Sequence, residues 1–224
     1  MTTIRFLNQK YPRTPHLPWS PGKTRDDRTI ETLESLIGVP IIISEKIDGS
    51  NTVLTSESIF ARSHSSLPTH PSFNYLKSLH AQIKYMIPKD MSIFGEYTYA
   101  VHTLVYKVPE YFHGFGVRLD MGNNLWLSWD ETLAILKSLN LISVPVLFSG
   151  VVGCESELKS LTEFLVSQKS CYGETCEGVV VRVARDFYDR EFKECVAKYV
   201  RENHVAEDSK HWMSGEIFKQ ELVK

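Results

Sequence analysis

Apolar and polar positions change period several times along this chain, and each change marks an element. Residues 39–44, VPIIIS, are almost continuously apolar, the pattern of a strand buried on both faces. NTVLTS (51–56) and IFARS (59–63) follow as shorter strands. Upstream, DDRTIETLESLIG (26–38) places Ile30, Leu33 and Ile37 on one face, with an Asp as N-cap and Gly38 as terminator, and predicts a short helix. Leu76, Leu79, Ile83 and Ile87 predict a helix over 73–87, stopped by Pro88. MSIFGEYTYA (91–100) and EYFHGFGVRL (110–119) read as strands. SWDETLAILKSLN (128–140) reads as a helix opened by a capping box. VPVLF (144–148) is strand-like, and SELKSLTEFLVSQ (156–168) is helical. EGVVVRV (177–183) and CVAKYVR (195–201) are strands again, and a helix is expected from about 207. The first 25 residues carry Pro12, Pro15, Pro18, Pro21 and Gly22, which predicts an irregular arm packed on the body.

Strands come in neighbouring pairs with helices between the pairs, not in strict β-α-β alternation. The expected fold is therefore α+β, with mainly antiparallel sheets flanked by helices, in one domain spanning 1–224. Neither a P-loop nor a G-x-G-x-x-G turn is present, so any nucleotide is held by other means.

Composition narrows this only a little. With 42% hydrophobic residues and 23% charged ones mixed along the chain, it folds rather than staying disordered. A formal charge of −2 gives no support for a protein that coats nucleic acid, but leaves room for a local basic groove. No apolar stretch is long enough to span a bilayer, and the N-terminus lacks an apolar signal region, so a soluble, cytoplasmic protein is expected. Cys154, Cys171, Cys176 and Cys195 form no C-x-x-C pair and are expected to be reduced, mostly structural thiols. His16, His64, His102, His113, His204 and His211 show no metal-ligand spacing.

Chemistry enters at EKIDGSN (45–51). An Asp-Gly pair is a common hairpin turn, but here a lysine stands two residues before it, at the end of a buried strand. Further segments follow in order: ARS at 61–63, FGEY at 94–97, YFHGFGVR at 111–118, EGVVVRV at 177–183 and VAKYVR at 196–201. Each has an ordinary structural explanation, but the ordered set, with HLPWSPG near the start, resembles the covalent nucleotidyltransferases. Within them it is most similar to RNA ligases of the nick-sealing and RNA-editing kind, from about residue 11 to 204.

The resemblance implies a ligase adenylation fold, ATP as substrate, and Mg²⁺ or Mn²⁺ as the metal. It implies RNA with 5′-phosphate and 3′-hydroxyl ends as the partner. Lys46 is then the nucleophile, since a lysine can become neutral and an arginine cannot. Glu96 matches the family glutamate at the ribose, and Glu177 the one linked to metal, so both are candidate metal ligands. Phe115 matches the ring that stacks on adenine, and Lys198 the cation at the α-phosphate. Arg62 and Asn51 are candidates for ribose or phosphate contacts, and the backbone at Glu45 and Ile47 for the adenine edge. Asp48 is read as shaping the loop, and Gly49 as allowing a tight turn.

There are two departures. Val196 or Val200 stands where relatives carry a second cation beside Lys198, leaving Arg201 or Arg182 for that contact. After Arg201 too little chain remains for an OB-fold, so an accessory protein or the domain's own surface is expected to grip the nucleic acid. A minimal DNA ligase, a GTP-using capping enzyme, and a non-catalytic nucleic-acid-binding module are the competing readings.

Overall fold

The computed structural model describes residues 10–61, 68–202 and 217–223. In chain order its elements are β1 (Pro40–Lys46), β2 (Ser50–Leu54), β3 (Ile59–Ala61), α1 (Asn74–Ile83), β4 (Met91–Tyr97), β5 (Lys107–Val108) and β6 (Phe112–Leu119). Then come β7 (Leu125–Trp126), α2 (Trp129–Ser138), β8 (Ile142–Ser143), β9 (Val146–Val151), α3 (Glu155–Ser167), β10 (Gly178–Val183), β11 (Phe187–Tyr188), α4 (Phe192–Cys195), β12 (Val196–Val200) and β13 (Glu221–Leu222).

Two sheets carry the architecture. The first has the order β12-β10-β1-β9, all antiparallel. The second runs β11-β7-β6-β4-β2-β3, with β8 added parallel to β6. The fold is α+β with mainly antiparallel sheets, as the strand pairing in the sequence predicts. The apolar run at 40–43 becomes an inner strand because both its faces are covered. Ile41 and Ile43 join Val179, Val181 and Ala197 in a core that also holds Leu158 of α3 and Val53, Phe94 and Trp126 of the second sheet, while Ile42 joins a second core with Leu54, Ile93 and Leu127. The cross-strand partners of Ile42 and Ser44 are Arg182 and Val180, and Arg182 reaches the Leu127 carbonyl after β7 and the Phe187 ring of β11, so the face they share with Lys46 looks toward the second sheet.

K-x-D-G is not a hairpin. β1 belongs to the first sheet and β2 to the second, so this loop is the crossover between them. Gly49 does not adopt a left-handed conformation. A side chain there would meet the Tyr97 carbonyl oxygen at 2.8 Å and Glu96 Cγ at 3.1 Å, so glycine is needed for close approach to β4.

Two predicted helices differ. Over 26–38 only a 3-10 turn at Glu34–Leu36 forms. The backbone at 28–30 pairs with His16 instead (His16 N to Arg28 O 2.7 Å, Ile30 N to His16 O 2.9 Å), and the Asp27 carboxylate bonds Thr24. Burying Ile30 and Leu36 contributes about 1.5–3 kcal/mol each, whereas helix propensities differ by only tenths per ordinary residue, so tertiary pairing wins. The helix expected from about 207 falls largely on 203–216, outside the described residues. Its later part is extended: β13 pairs with β5, and the Gln220 amide is buried, accepting from Tyr106 N at 2.7 Å and donating to the Leu104 carbonyl at 2.7 Å. Elsewhere the predicted helices stand. α2 carries the Ser128–Glu131 capping box, and α1 ends at Ile83, earlier than predicted, with a 3-10 turn carrying the chain to Met86.

His113 on β6 is fully buried, and burial pulls its imidazole down to about 4, offset only in part by the Glu110 backbone. Below pH about 6.5 the unfolded chain binds a proton that the folded chain refuses until about 4. Stability should therefore fall across that window, by roughly 3 kcal/mol for this group in full. His113→Leu is expected to flatten that part of the curve, read as urea midpoints between pH 7 and 4 relative to the parent.

Candidate active site

β1 delivers Lys46 to the edge of the cleft between the sheets, opposite Gly178 in β10. Glu177, the residue just before β10, meets it: Lys46 Nζ lies 2.6 Å from Glu177 Oε1. Glu177 is buried, Lys46 partly so. Burial favours the neutral amine, but the Glu177 carboxylate outweighs it, helped by Glu96 and Asp48, and holds the ammonium above the usual lysine range. Lys46 thus rests in its charged, non-nucleophilic form.

The second sheet contributes Glu96, whose strand neighbour across β2 is Asn51. One strand further, β6 carries a bulge: Gly95 pairs with Gly114 and Phe94 with Gly116, leaving Phe115 as the extra residue. Bulges re-aim a side chain. Phe115 is partly exposed, with its ring 5.0 Å from that of Tyr11 in an edge contact.

Lys198 lies on β12 opposite Val180, two strands from Ser44, on the same face as Lys46. Its amine stands 3.8 Å from Asp27 Oδ1. Val200, two residues on and opposite Gly178, fills the slot of a second cation and is buried. Arg201 donates its backbone N–H to the Glu177 carbonyl at 3.1 Å, and its Nε is buried with no hydrogen-bond partner among the described residues. Arg182 is buried, donating to the Leu127 carbonyl at 2.8 Å and lying over the Phe187 and Trp129 rings; burial lowers its pKa to about 10. Its guanidinium is thus engaged with the Leu127 carbonyl and these rings.

Glu45 and Ile47 are both buried. Ile47 is in the core. The Glu45 carboxylate is buried and accepts from Cys171 N at 2.9 Å, while its own N–H bonds Pro145 O at 2.9 Å, so that amide is already engaged. Arg62 lies outside the described residues.

Sequence reasoning missed three features. Asp48 does more than turn the chain: its Oδ2 accepts from Thr103 N (2.7 Å) and Leu104 N (3.0 Å), pinning the lysine loop to the segment after β4. His102, from that segment, sits 3.3 Å from Ser50 Oγ. Tyr11 packs among Phe94, Phe115, Trp126 and Phe192, between the two sheets. No periodicity surrounds Tyr11 or His102, so only their contacts reveal them.

Gly178 is the tightest point of the site, since a Cβ there would stand 2.2 Å from the Tyr199 carbonyl oxygen. Gly178→Ala is expected to force β10 from β12, costing roughly 2–3 kcal/mol by overpacking and displacing Lys198 from Lys46. Urea unfolding and nucleotide labelling of the variant check both effects.

Among the described residues no group of three or more His, Cys, Asp or Glu side chains converges to hold a metal, and no helix is long and apolar enough to cross a membrane. The fold is similar to a putative ATP-dependent DNA ligase from Aquifex aeolicus, at 21% identity and a TM-score of 0.52, covering 86% of this chain and 50% of that one. It is similar to an archaeal ATP-dependent RNA ligase, at 16% identity and a TM-score of 0.54, covering 86% and 48%. A Naegleria gruberi RNA ligase variant with ATP and Mn is similar at 14% identity and a TM-score of 0.54, covering 87% and 61%. The chain thus spans about half to three-fifths of the length of these ligases. No curated protein matches it in sequence. The model of the RNA ligase family matches residues 39–200, and on that match the chain belongs to the RNA ligase family.

Proposed function

We propose that the protein is an ATP-dependent RNA ligase that joins a 5′-phosphate to a 3′-hydroxyl through a lysyl-AMP intermediate. The observation that carries this reading is the Lys46–Glu177 contact of 2.6 Å at the edge of a cleft that Glu96 and Lys198 also border. Glu177 Oε1 accepts the proton that Lys46 must lose. The neutral amine then attacks the α-phosphorus of ATP, an N–P bond forms, and the P–O bond to the β-phosphate breaks as pyrophosphate leaves. AMP next passes to the 5′-phosphate of the nucleic acid, releasing Lys46, and the 3′-hydroxyl displaces AMP to close the strand.

The other residues take roles that follow from charge and shape. Phe115, partly exposed at the bulge, offers a face for adenine, an interaction of about 1–3 kcal/mol. Lys198 offers a cation to the α-phosphate, and Arg201, with its unpaired Nε, is the second. Glu96 and Asn51, paired across β2 and β4, suit the ribose.

A divalent ion fits the site on the chemistry of its donors. Glu177 Oε2 is buried without a hydrogen-bond partner among the described residues, and Mg²⁺ or Mn²⁺ is content with one or two carboxylates plus phosphate oxygens and water. Glu177 and Glu96 would hold it, and its charge would offset the carboxylates that keep Lys46 protonated.

The test is incubation with α-labelled ATP and Mg²⁺, followed by joining assays on nicked, splinted and single-stranded RNA and DNA. Label that survives denaturation and joining of RNA are expected. Absence of label defeats the reading, and joining confined to DNA moves the activity to a DNA ligase.

A further inference from the structure

Charge is unevenly divided along this chain. Residues 1–28 hold six Lys or Arg against two Asp, whereas residues 29–224 hold nineteen against twenty-five Asp or Glu. Within the basic part, the structure places one turn, Lys23–Arg28, beside Lys198. Gly22 N bonds the Val200 carbonyl at 2.9 Å, so Lys23 starts at the end of β12, where Arg201 meets Glu177. The turn is closed by the Asp27 carboxylate, which accepts from Thr24 N (3.1 Å) and Oγ1 (3.0 Å). The other Asp27 oxygen lies 3.8 Å from Lys198 Nζ. His16 N bonds the Arg28 carbonyl at 2.7 Å and fixes the far side. Arg25 and Arg28 therefore flank a carboxylate anchored at Lys198, both are exposed, and neither side chain pairs with an acid among the described residues. Lys23 is also exposed, and its amine bonds only the neutral Pro18 carbonyl, at 2.7 Å.

We infer that Lys23, Arg25 and Arg28 bind the sugar-phosphate backbone of the nucleic acid beside the end being joined. This rests on the ligase reading above and places on the domain's own surface the grip that the sequence left to that surface or to an accessory protein. The three cations, which outnumber Asp26 and Asp27 in the same turn, are spread along it beside Lys198, which suits successive backbone phosphates rather than the compact triphosphate of ATP. A rigid turn loses little freedom on binding, and each phosphate it neutralises releases counterions.

The test compares the parent with a variant carrying Lys23→Ala, Arg25→Ala and Arg28→Ala, and with Arg25→Ala plus Arg28→Ala alone, which keeps the Lys23–Pro18 bond. Binding to a fluorescent nicked RNA duplex and to single-stranded RNA is titrated across salt, with covalent labelling from α-labelled ATP alongside. The triple variant should bind roughly ten- to a hundredfold more weakly at low salt, and its slope of log K against log salt should be shallower by about 2–3. Its labelling from ATP should match the parent, which also shows that it folds. A control, Lys77→Ala with Lys89→Ala and Lys137→Ala, removes equal charge from other exposed positions and should leave the slope near that of the parent.

An unchanged slope in the turn variants, or an equal loss in the control, overturns the inference. So does a parallel loss of labelling, which would assign the turn to ATP, and so does a parent that binds neither RNA. A parent that binds RNA through the turn but takes no label from ATP would uphold the turn and defeat the ligase reading instead.

Discussion

Lys46→Ala should take no label from α-labelled ATP under conditions in which the parent becomes covalently modified, a loss of at least about three orders of magnitude. The prediction follows from position. Lys46 is the amine that ends an inner strand, stands beside a buried glutamate and faces the cleft, whereas Lys198, on the same face, lies on β12 with its amine 3.8 Å from the more exposed Asp27. Lys46→Arg should be equally inactive, because a guanidinium keeps its proton at any working pH. Both variants are expected to fold. In Lys46→Ala, Glu177 loses its partner, which costs about 1–2 kcal/mol, a figure kept small because the pair is partly open to water. Denaturing gels report the label and urea unfolding reports the fold. A labelled alanine variant would move the nucleophile elsewhere and defeat the proposed mechanism.

How much of this was legible in the sequence depends on whether a residue's role is local. The strand at 40–46 was readable because an unbroken apolar run admits few other structures, and the capping box at Ser128–Glu131 because its bonds lie within four residues. The Lys46–Glu177 meeting spans 131 residues, and composition and period do not encode it. Only the ordered set of short motifs, with the family it resembles, placed those two together. The failures share a cause. The segment 26–38 has helical spacing, yet its backbone is taken by His16 and its Asp by Thr24 and Lys198, all choices made by the tertiary fold. Tyr11 and His102 carried no signal for the same reason. Asp48 was visible as a turn residue, but its bonds to Thr103 and Leu104, some 55 residues away, were not.

Glu177→Gln should lower the pKa of the Lys46 amine and yet slow its adenylylation. Burial alone favours the neutral amine, and Glu177 is the foremost of the carboxylates that reverse this. With a neutral amide there, Glu96 and Asp48 remain, so the pKa should drop from its raised value. Only the neutral amine attacks, and below its pKa the neutral fraction grows tenfold per pH unit. The pH dependence of labelling should therefore begin its rise at lower pH in the variant. The maximum rate should nonetheless fall by roughly 10²–10⁴-fold, because the amide neither takes the lysine proton nor offers a metal an anionic oxygen. Lysine labelled with ¹³C at the ε carbon gives the pKa directly by NMR titration, and the resonance absent from Lys46→Arg identifies the residue. If Glu177 served merely to hold the lysine charged, the variant would label faster than the parent near neutral pH. Faster labelling, or an amine whose titration does not move, would remove Glu177 from the proton's path and leave it a structural partner of the lysine.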